Sequence, residues 1–161
     1  MPGRAAIITI STSKAAGVGV DESGPRLAAL ARRLGLELVG QDLIPDERTL
    51  IEARLRHWSD TEGCELVLTS GGTGLAPTDI TPEATRAVLE REAPGIPQAI
   101  REASRPHTAH WMLSRGVAGT RGASLIVNFP GSPASIDQTE AAIADALAHA
   151  LALIAGTASA H

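Results

Sequence analysis

Tyrosine is absent from this chain of 161 residues, and there are one Phe, two Trp, one Cys and two Met. So few rings argue against a nucleic-acid platform, which stacks bases on exposed aromatics. Positive charge is also in short supply. Fourteen Lys and Arg stand against eighteen Asp and Glu, a net charge of −4, which leaves no electrostatic footprint for DNA, RNA or an anionic membrane. A phosphate ligand must therefore be met locally, by backbone N–H groups, a few cations or a metal ion. With Cys64 alone, neither an internal disulfide nor a multi-cysteine metal site can form, and the residue reads as a small apolar filler beside the strand that follows. Long hydrophobic runs are missing too. The run Ala5–Ile10 is too brief for a signal-peptide core, and nothing approaches the ~20 residues of a membrane span, so a cytoplasmic location is expected.

What is present is aliphatic: 43% of the residues are hydrophobic, mostly Leu, Ile, Val and Ala, enough for the core of one domain covering residues 1–161. Ala5–Ile10, Leu36–Ile44, Glu65–Thr69 and Leu125–Phe129 read as strands, three of them nearly continuous in apolar residues, as strands buried on both faces are. Between them, Leu27, Leu30, Ala31 and Leu34 repeat at helical spacing up to Gly35, and Ile51, Leu55 and Trp58 share a helix face that Asp46 can cap. Thr81-Pro82 reads as a helix start with Thr as the cap. Pro94, Gly95 and Pro97 break a helical region that resumes through Ile100. A last helix carries Ile136, Ile143, Leu147, Leu151 and Ile154. This alternation predicts an α/β sandwich on a mostly parallel sheet, without internal repeats or linkers.

Four polar segments follow strand ends, where open parallel sheets bind ligands: Ser11–Gly24, Pro45-Asp46-Glu47, Ser70–Thr81 and Asn128–Pro133. The third holds Gly71-Gly72-Thr73-Gly74. Closely spaced glycines there form either a phosphate-cradling nest or an ordinary tight turn, and the glycines alone do not choose between them. No Lys-Ser or Lys-Thr follows them, so they are not a Walker loop. Gly17-Val18-Gly19 is not a dinucleotide fingerprint either, because Glu22 stands where the third Gly would be. Asp46 and Asp79 are the carboxylates placed to handle a hard cation on that edge, against their plainer roles as helix cap and turn residue. His57, His107, His110, His149 and His161 are scattered, and no Ser-His-Asp set is evident.

Gly71-Gly72-Thr73-Gly74 with Asp79-Ile80-Thr81-Pro82-Glu83-Ala84-Thr85 resembles the signature of the MogA/MoaB family, whose domain type also occurs as the G domain of gephyrin and its plant counterpart. Asn128-Phe129-Pro130-Gly131-Ser132-Pro133 resembles that family's Asn-Leu-Pro-Gly turn. Ile44-Pro45-Asp46-Glu47 and Leu113-Ser114-Arg115 match in order and spacing, so the likeness covers nearly the whole chain. It implies a three-layer α/β/α molybdopterin-binding domain, usually a homotrimer and in some members a hexamer. It also implies the activity of a molybdopterin adenylyltransferase, which joins AMP from Mg-ATP to the pterin's phosphate and releases pyrophosphate, with hand-off of the product to a separate MoeA-like molybdenum insertase.

By position, the resemblance makes Asp46 and Asp79 the acidic residues of catalysis and Mg²⁺ handling. The pterin-phosphate and nucleotide pockets fall to Ser11, Asp21, Ser70, Gly71, Gly72, Thr73, Gly74, Thr81 and Ser114, together with Asn128, Pro130, Gly131 and Ser132. One departure stands out. Family members commonly carry Ser-Asp or Ser-Asn after the first strand, whereas this chain has Ser11-Thr12, with Asp21 following at the family's spacing from the glycines. The competing readings are a pterin-binding paralogue without transfer activity, an unrelated nucleotide-dependent α/β enzyme, and a purely structural oligomer.

Overall fold

A computed structural model describes residues 1–159; His161 lies outside them. Six strands form one sheet in the order β2-β1-β3-β6-β5-β4. They are β1 (Arg4–Ile10), β2 (Glu37–Ile44), β3 (Leu66–Ser70), β4 (Arg91–Glu92), β5 (Ala118–Arg121) and β6 (Ser124–Phe129). The first four in spatial order run parallel, with Ile7 opposite Leu68 and Leu68 opposite Val127. β5 returns antiparallel on β6, and β4 pairs antiparallel at the edge.

Alternate residues of each central strand feed two separate cores, which is why these strands are apolar throughout. Ala5, Ile7, Leu66, Leu68, Val127 and Phe129 pack on one face beneath α2 (Ser23–Arg33), α5 (Gly95–Ser104) and α6 (Pro133–Ile154). Ala6, Ile8, Ile10, Val67 and Ile126 pack on the other beneath α3 (Arg48–Arg56) and α4 (Thr81–Val88). The result is the expected α/β/α sandwich. No helix among the described residues is long and apolar enough to cross a membrane.

Several boundaries differ from the sequence reading. The first loop contains a one-turn helix, α1 (Thr12–Ala15), and α2 begins at Ser23, inside the segment expected to be loop. The cap of α3 is Glu47 rather than Asp46, because the Asp46 side chain turns toward Thr12 instead. Thr81 is the first helical residue of α4 rather than its cap, with Ile80 before it and Pro82 in the first turn. Gly95 and Pro97 begin α5 instead of interrupting a helix, and Pro tolerates that first turn because its missing N–H has no partner there.

Cys64 is buried in the second core, and desolvation pushes its thiol up to about 11, with Arg4 pulling weakly the other way. At pH 8 the thiolate that reacts is then scarce as well as shielded. Thiol titration with an aromatic disulfide reagent at that pH should be negligible in the folded protein and complete in denaturant.

Candidate active site

The four parallel strands all end on the same edge, and the loops leaving β1, β2, β3 and β6 meet there. Phe129 O accepts from Gly71 N at 3.2 Å, and Ile44 O accepts from Ser11 N at 2.9 Å, so neighbouring loops are stitched together as they leave the sheet. Ser70 Oγ donates to Pro130 O at 3.1 Å and Ser23 Oγ to Gly131 O at 2.9 Å, which pins the Pro130–Gly131 turn from both sides.

These loops enclose a polar cavity of about 240 Å³. Asp46 from the β2 loop and Asp79 from the β3 loop both line it, facing Gly71, Gly72 and Gly131. Ser11, Lys14, Ser23 and Ser70 complete most of the wall. Gly71 and Gly72 have φ of +99° and +67°, so the chain doubles back sharply and presents backbone to the cavity. A side chain has no room at Gly72: its Cβ would lie 2.2 Å from Thr81 Oγ1 and 3.0 Å from Asp46 Oδ1. Thr81 is fully buried, and its hydroxyl has no partner among the described residues. The first turn of α4 therefore brings an unused hydroxyl to the same point as a carboxylate oxygen.

Chemically, two carboxylates and one ammonium repel a phosphate unless a divalent cation comes with it. Among the described residues no group of three or more His, Cys, Asp or Glu side chains could enclose a metal by itself. A hard cation at Asp46 and Asp79 would thus draw its remaining ligands from water and phosphate oxygens, the usual arrangement for Mg²⁺ at phosphates. The donors present fit such an ion.

The loop carrying Asp79 is tied down at both ends. Asp79 Oδ2 accepts from Ala76 N at 3.0 Å, and Asp79 N donates to Ala76 O at 2.9 Å. Arg115 then brackets the segment, donating from Nε to Gly74 O at 2.8 Å and from one terminal nitrogen to Asp79 O at 2.9 Å. The same guanidinium bonds both oxygens of Glu83 in α4, at 2.9 and 3.1 Å. That hydrogen bond, more than the accompanying Coulomb attraction, holds the Glu83 carboxyl below its ordinary value of 4.5. Because the folded value lies below the unfolded one, the bracket stabilises fully above about pH 4.5 and is lost as pH falls through the folded value. Melting temperature should accordingly fall less steeply below that pH in Glu83→Gln than in the parent chain, as read by circular dichroism between pH 3 and 6.

A second cavity of about 360 Å³ lies across the same turn. Ser114, Pro130 and Ser132 line it alongside Arg101, His107 and Trp111, giving it a more apolar wall than the first. The Pro130–Ser132 turn thus separates a polar hollow from a larger, more apolar one with room for a flat ring.

Residues 6–149 match the family described as "Probable molybdopterin binding domain". The chain belongs to this molybdopterin-binding family. It is 41% identical to the molybdenum cofactor synthesis protein cinnamon of Drosophila melanogaster over 83% of this chain, although it spans only 22% of that protein's length. It is 40% identical to the molybdopterin adenylyltransferase of Haemophilus influenzae, covering 86% of this chain and 72% of the relative. In three dimensions it is similar to the molybdopterin biosynthesis enzyme MoaB of Thermus thermophilus, with a TM-score of 0.89 at 42% identity over 96% of this chain and 97% of that one.

Of the residues singled out by the family signature, Ser11, Asp46, Ser70, Gly71, Gly72, Asp79 and Gly131 share the polar cavity, while Ser114, Pro130 and Ser132 line the other. Thr73, Gly74 and Thr81 stand behind the glycine turn. Thr73 O accepts from Arg115 N at 2.8 Å, and a Cβ on Gly74 would meet Asp79 Oδ2 at 2.8 Å. Two signature residues are engaged with the protein itself. Asp21 accepts from Ser23 N, Gly24 N and Thr9 Oγ1, which caps the start of α2. Asn128 is buried, donating to Thr69 and Thr85 hydroxyls and accepting from Val117 N, so it joins β6 to β3 and α4.

Sequence reasoning assigned nothing to Lys14, Ser23 or Arg115. The signal for Arg115 was its match to the family's Ser-Arg pair, but its partners Gly74 O and Asp79 O are main-chain atoms, invisible to residue type. Of the histidines, His107 and His110 line the second cavity, and His57 packs edge-on against Trp58.

Proposed function

We propose that the chain is a molybdopterin adenylyltransferase of molybdenum cofactor biosynthesis, transferring AMP from Mg-ATP to the molybdopterin phosphate. The observation that carries this reading is the convergence of Asp46 and Asp79, from different loops, on one cavity walled by the Gly71–Gly72 turn. The 40% identity to an adenylyltransferase over most of both chains supports it.

In the reaction, a pterin-phosphate oxygen forms a bond to the α-phosphorus of ATP. The bond from that phosphorus to the α,β-bridging oxygen breaks, and pyrophosphate leaves with the electron pair. A phosphate oxygen is already nucleophilic at neutral pH, so the residues need not supply a strong base, and their work is positioning. Asp46 and Asp79 would hold the cation, which offsets the charge of the two phosphate groups when bound. Lys14 contributes a further positive charge on the same wall, and the glycine turn lets the phosphates approach the backbone closely. The second cavity, across the Pro130–Ser132 turn, is placed to take a planar heterocycle attached to a phosphate in the first.

Incubating the chain with molybdopterin, ATP and Mg²⁺ should release pyrophosphate and yield the AMP–pterin adduct, with neither product when either substrate is omitted. Pterin binding without pyrophosphate release would instead identify a non-catalytic paralogue of the same fold. The homotrimer or hexamer and the hand-off to an insertase belong to this reading as well, on the strength of the family resemblance.

A further inference from the structure

Asp46 has two unequal oxygens. Its Oδ2 accepts two hydrogen bonds from Thr12, from the backbone N at 3.1 Å and from Oγ1 at 2.8 Å. Thr12 Oγ1 in turn accepts from Asp46 N at 3.0 Å. The hydroxyl is thus donor and acceptor to one residue, and both its own rotamer and the carboxylate plane are fixed. Oδ1 is left turned toward Gly72, on the cavity side, beside the unpartnered Thr81 hydroxyl. The two loops carrying this pair leave adjacent parallel strands whose ends are already joined by the bond from Ser11 N to Ile44 O, at 2.9 Å. Thr12 itself is exposed and contributes nothing to either core.

We propose that Thr12 is a positioning residue for the reaction, reserving one oxygen of Asp46 for the divalent cation by occupying the other. The inference rests on the adenylyltransferase reading only for the identity of the reaction. The physical claim is that Thr12 presets a cation ligand. Without the hydroxyl, the Asp46 carboxylate keeps one backbone donor and loses the lock on its plane, so ordering it must be done by the incoming cation at the expense of affinity. Hydrogen-bonding groups behind a metal ligand typically alter affinity by ~10–100-fold. The surviving backbone bond places Thr12 near the low end of that range.

The test is Mn²⁺ titration, followed by electron paramagnetic resonance, in the presence of the α,β-methylene analogue of ATP, which cannot react at the bond concerned. Thr12→Val, nearly isosteric, should weaken Mn²⁺ binding about tenfold, whereas Thr12→Ser should stay within about twofold because the hydroxyl remains. In an Asp46→Asn background, Thr12→Val should add no further loss, since the two act through one contact. In parallel turnover assays, Thr12→Val should raise the Mg²⁺ requirement and lower kcat while leaving KM for molybdopterin unchanged. Mn²⁺ affinity in Thr12→Val equal to the parent's, an additive loss in the Asp46→Asn background, or no saturable Mn²⁺ signal in the parent would each overturn the proposal. Weakened Mn²⁺ binding in Thr12→Val with no AMP transfer by the parent would leave the Thr12 role standing and remove the adenylyltransferase reading.

Discussion

Asp79→Asn should reduce AMP transfer by at least about 10³-fold while barely changing the fold, the magnitude expected when a preorganised charge at a phosphoryl centre is removed. Asp79 lies at the rim of the polar cavity, half-buried, and belongs to neither apolar core. Asparagine keeps an oxygen able to accept from Ala76 N, so the local turn survives and only the negative charge is lost. The stability change should therefore stay below the ~1 kcal/mol of a typical net hydrogen bond. Nucleotide affinity should fall in the presence of Mg²⁺ and change little without it, because the carboxylate acts through the cation. Steady-state pyrophosphate release together with a melting curve checks both halves. Full activity in a folded Asp79→Asn protein would remove Asp79 from the mechanism.

Gly72→Val should abolish nucleotide and pterin binding and also lower stability, by a different physical route. At φ of +67° a β-branched residue is strained, a penalty of ~1–3 kcal/mol. Its Cβ would also meet Thr81 Oγ1 at 2.2 Å and Asp46 Oδ1 at 3.0 Å, so either α4 shifts or the carboxylate is displaced from the cavity. Gly122→Ala separates the two effects. Gly122 has φ of +54° with open space around it, in the tight turn between β5 and β6, ahead of the start of β6, whereas the candidate site lies beyond that strand's other end. It should lose stability through backbone strain alone and keep full ligand binding. The expected pattern is loss of melting temperature in both variants and loss of binding only in Gly72→Val, measured by calorimetric titration with ATP and Mg²⁺. Retention of nucleotide affinity in Gly72→Val would show that phosphates do not approach this backbone.

Much of this architecture was legible in the residues. β1, β3 and β6 announce themselves because both their faces are buried, which demands apolar side chains at successive positions, as in Ile7-Ile8 and Leu125-Ile126-Val127. β4 and β5 did not, since Arg91–Glu92 and Ala118–Arg121 are short, partly polar and held by antiparallel pairing rather than by a hydrophobic pattern. The glycine turn and the two aspartates could be located on the ligand edge because each follows the carboxyl end of a strand legible in the sequence. What their side chains touch could not be read, because it depends on contacts between loops distant in sequence. Asp46 could equally have capped α3, and only its approach to Thr12 shows that it turns inward. Asn128 illustrates the converse. It lies in one of the two signature segments, yet its side chain is spent joining β6 to β3 and α4.

The central claim is that the polar cavity between the β1, β2, β3 and β6 loops is where the phosphates meet. A crystal structure with Mg²⁺ and the α,β-methylene analogue of ATP examines it most directly. The triphosphate should lie against Gly71 and Gly72, with a metal bridging it to Asp46 and Asp79. Nucleotide phosphates bound elsewhere, with that cavity left to solvent, would contradict the account.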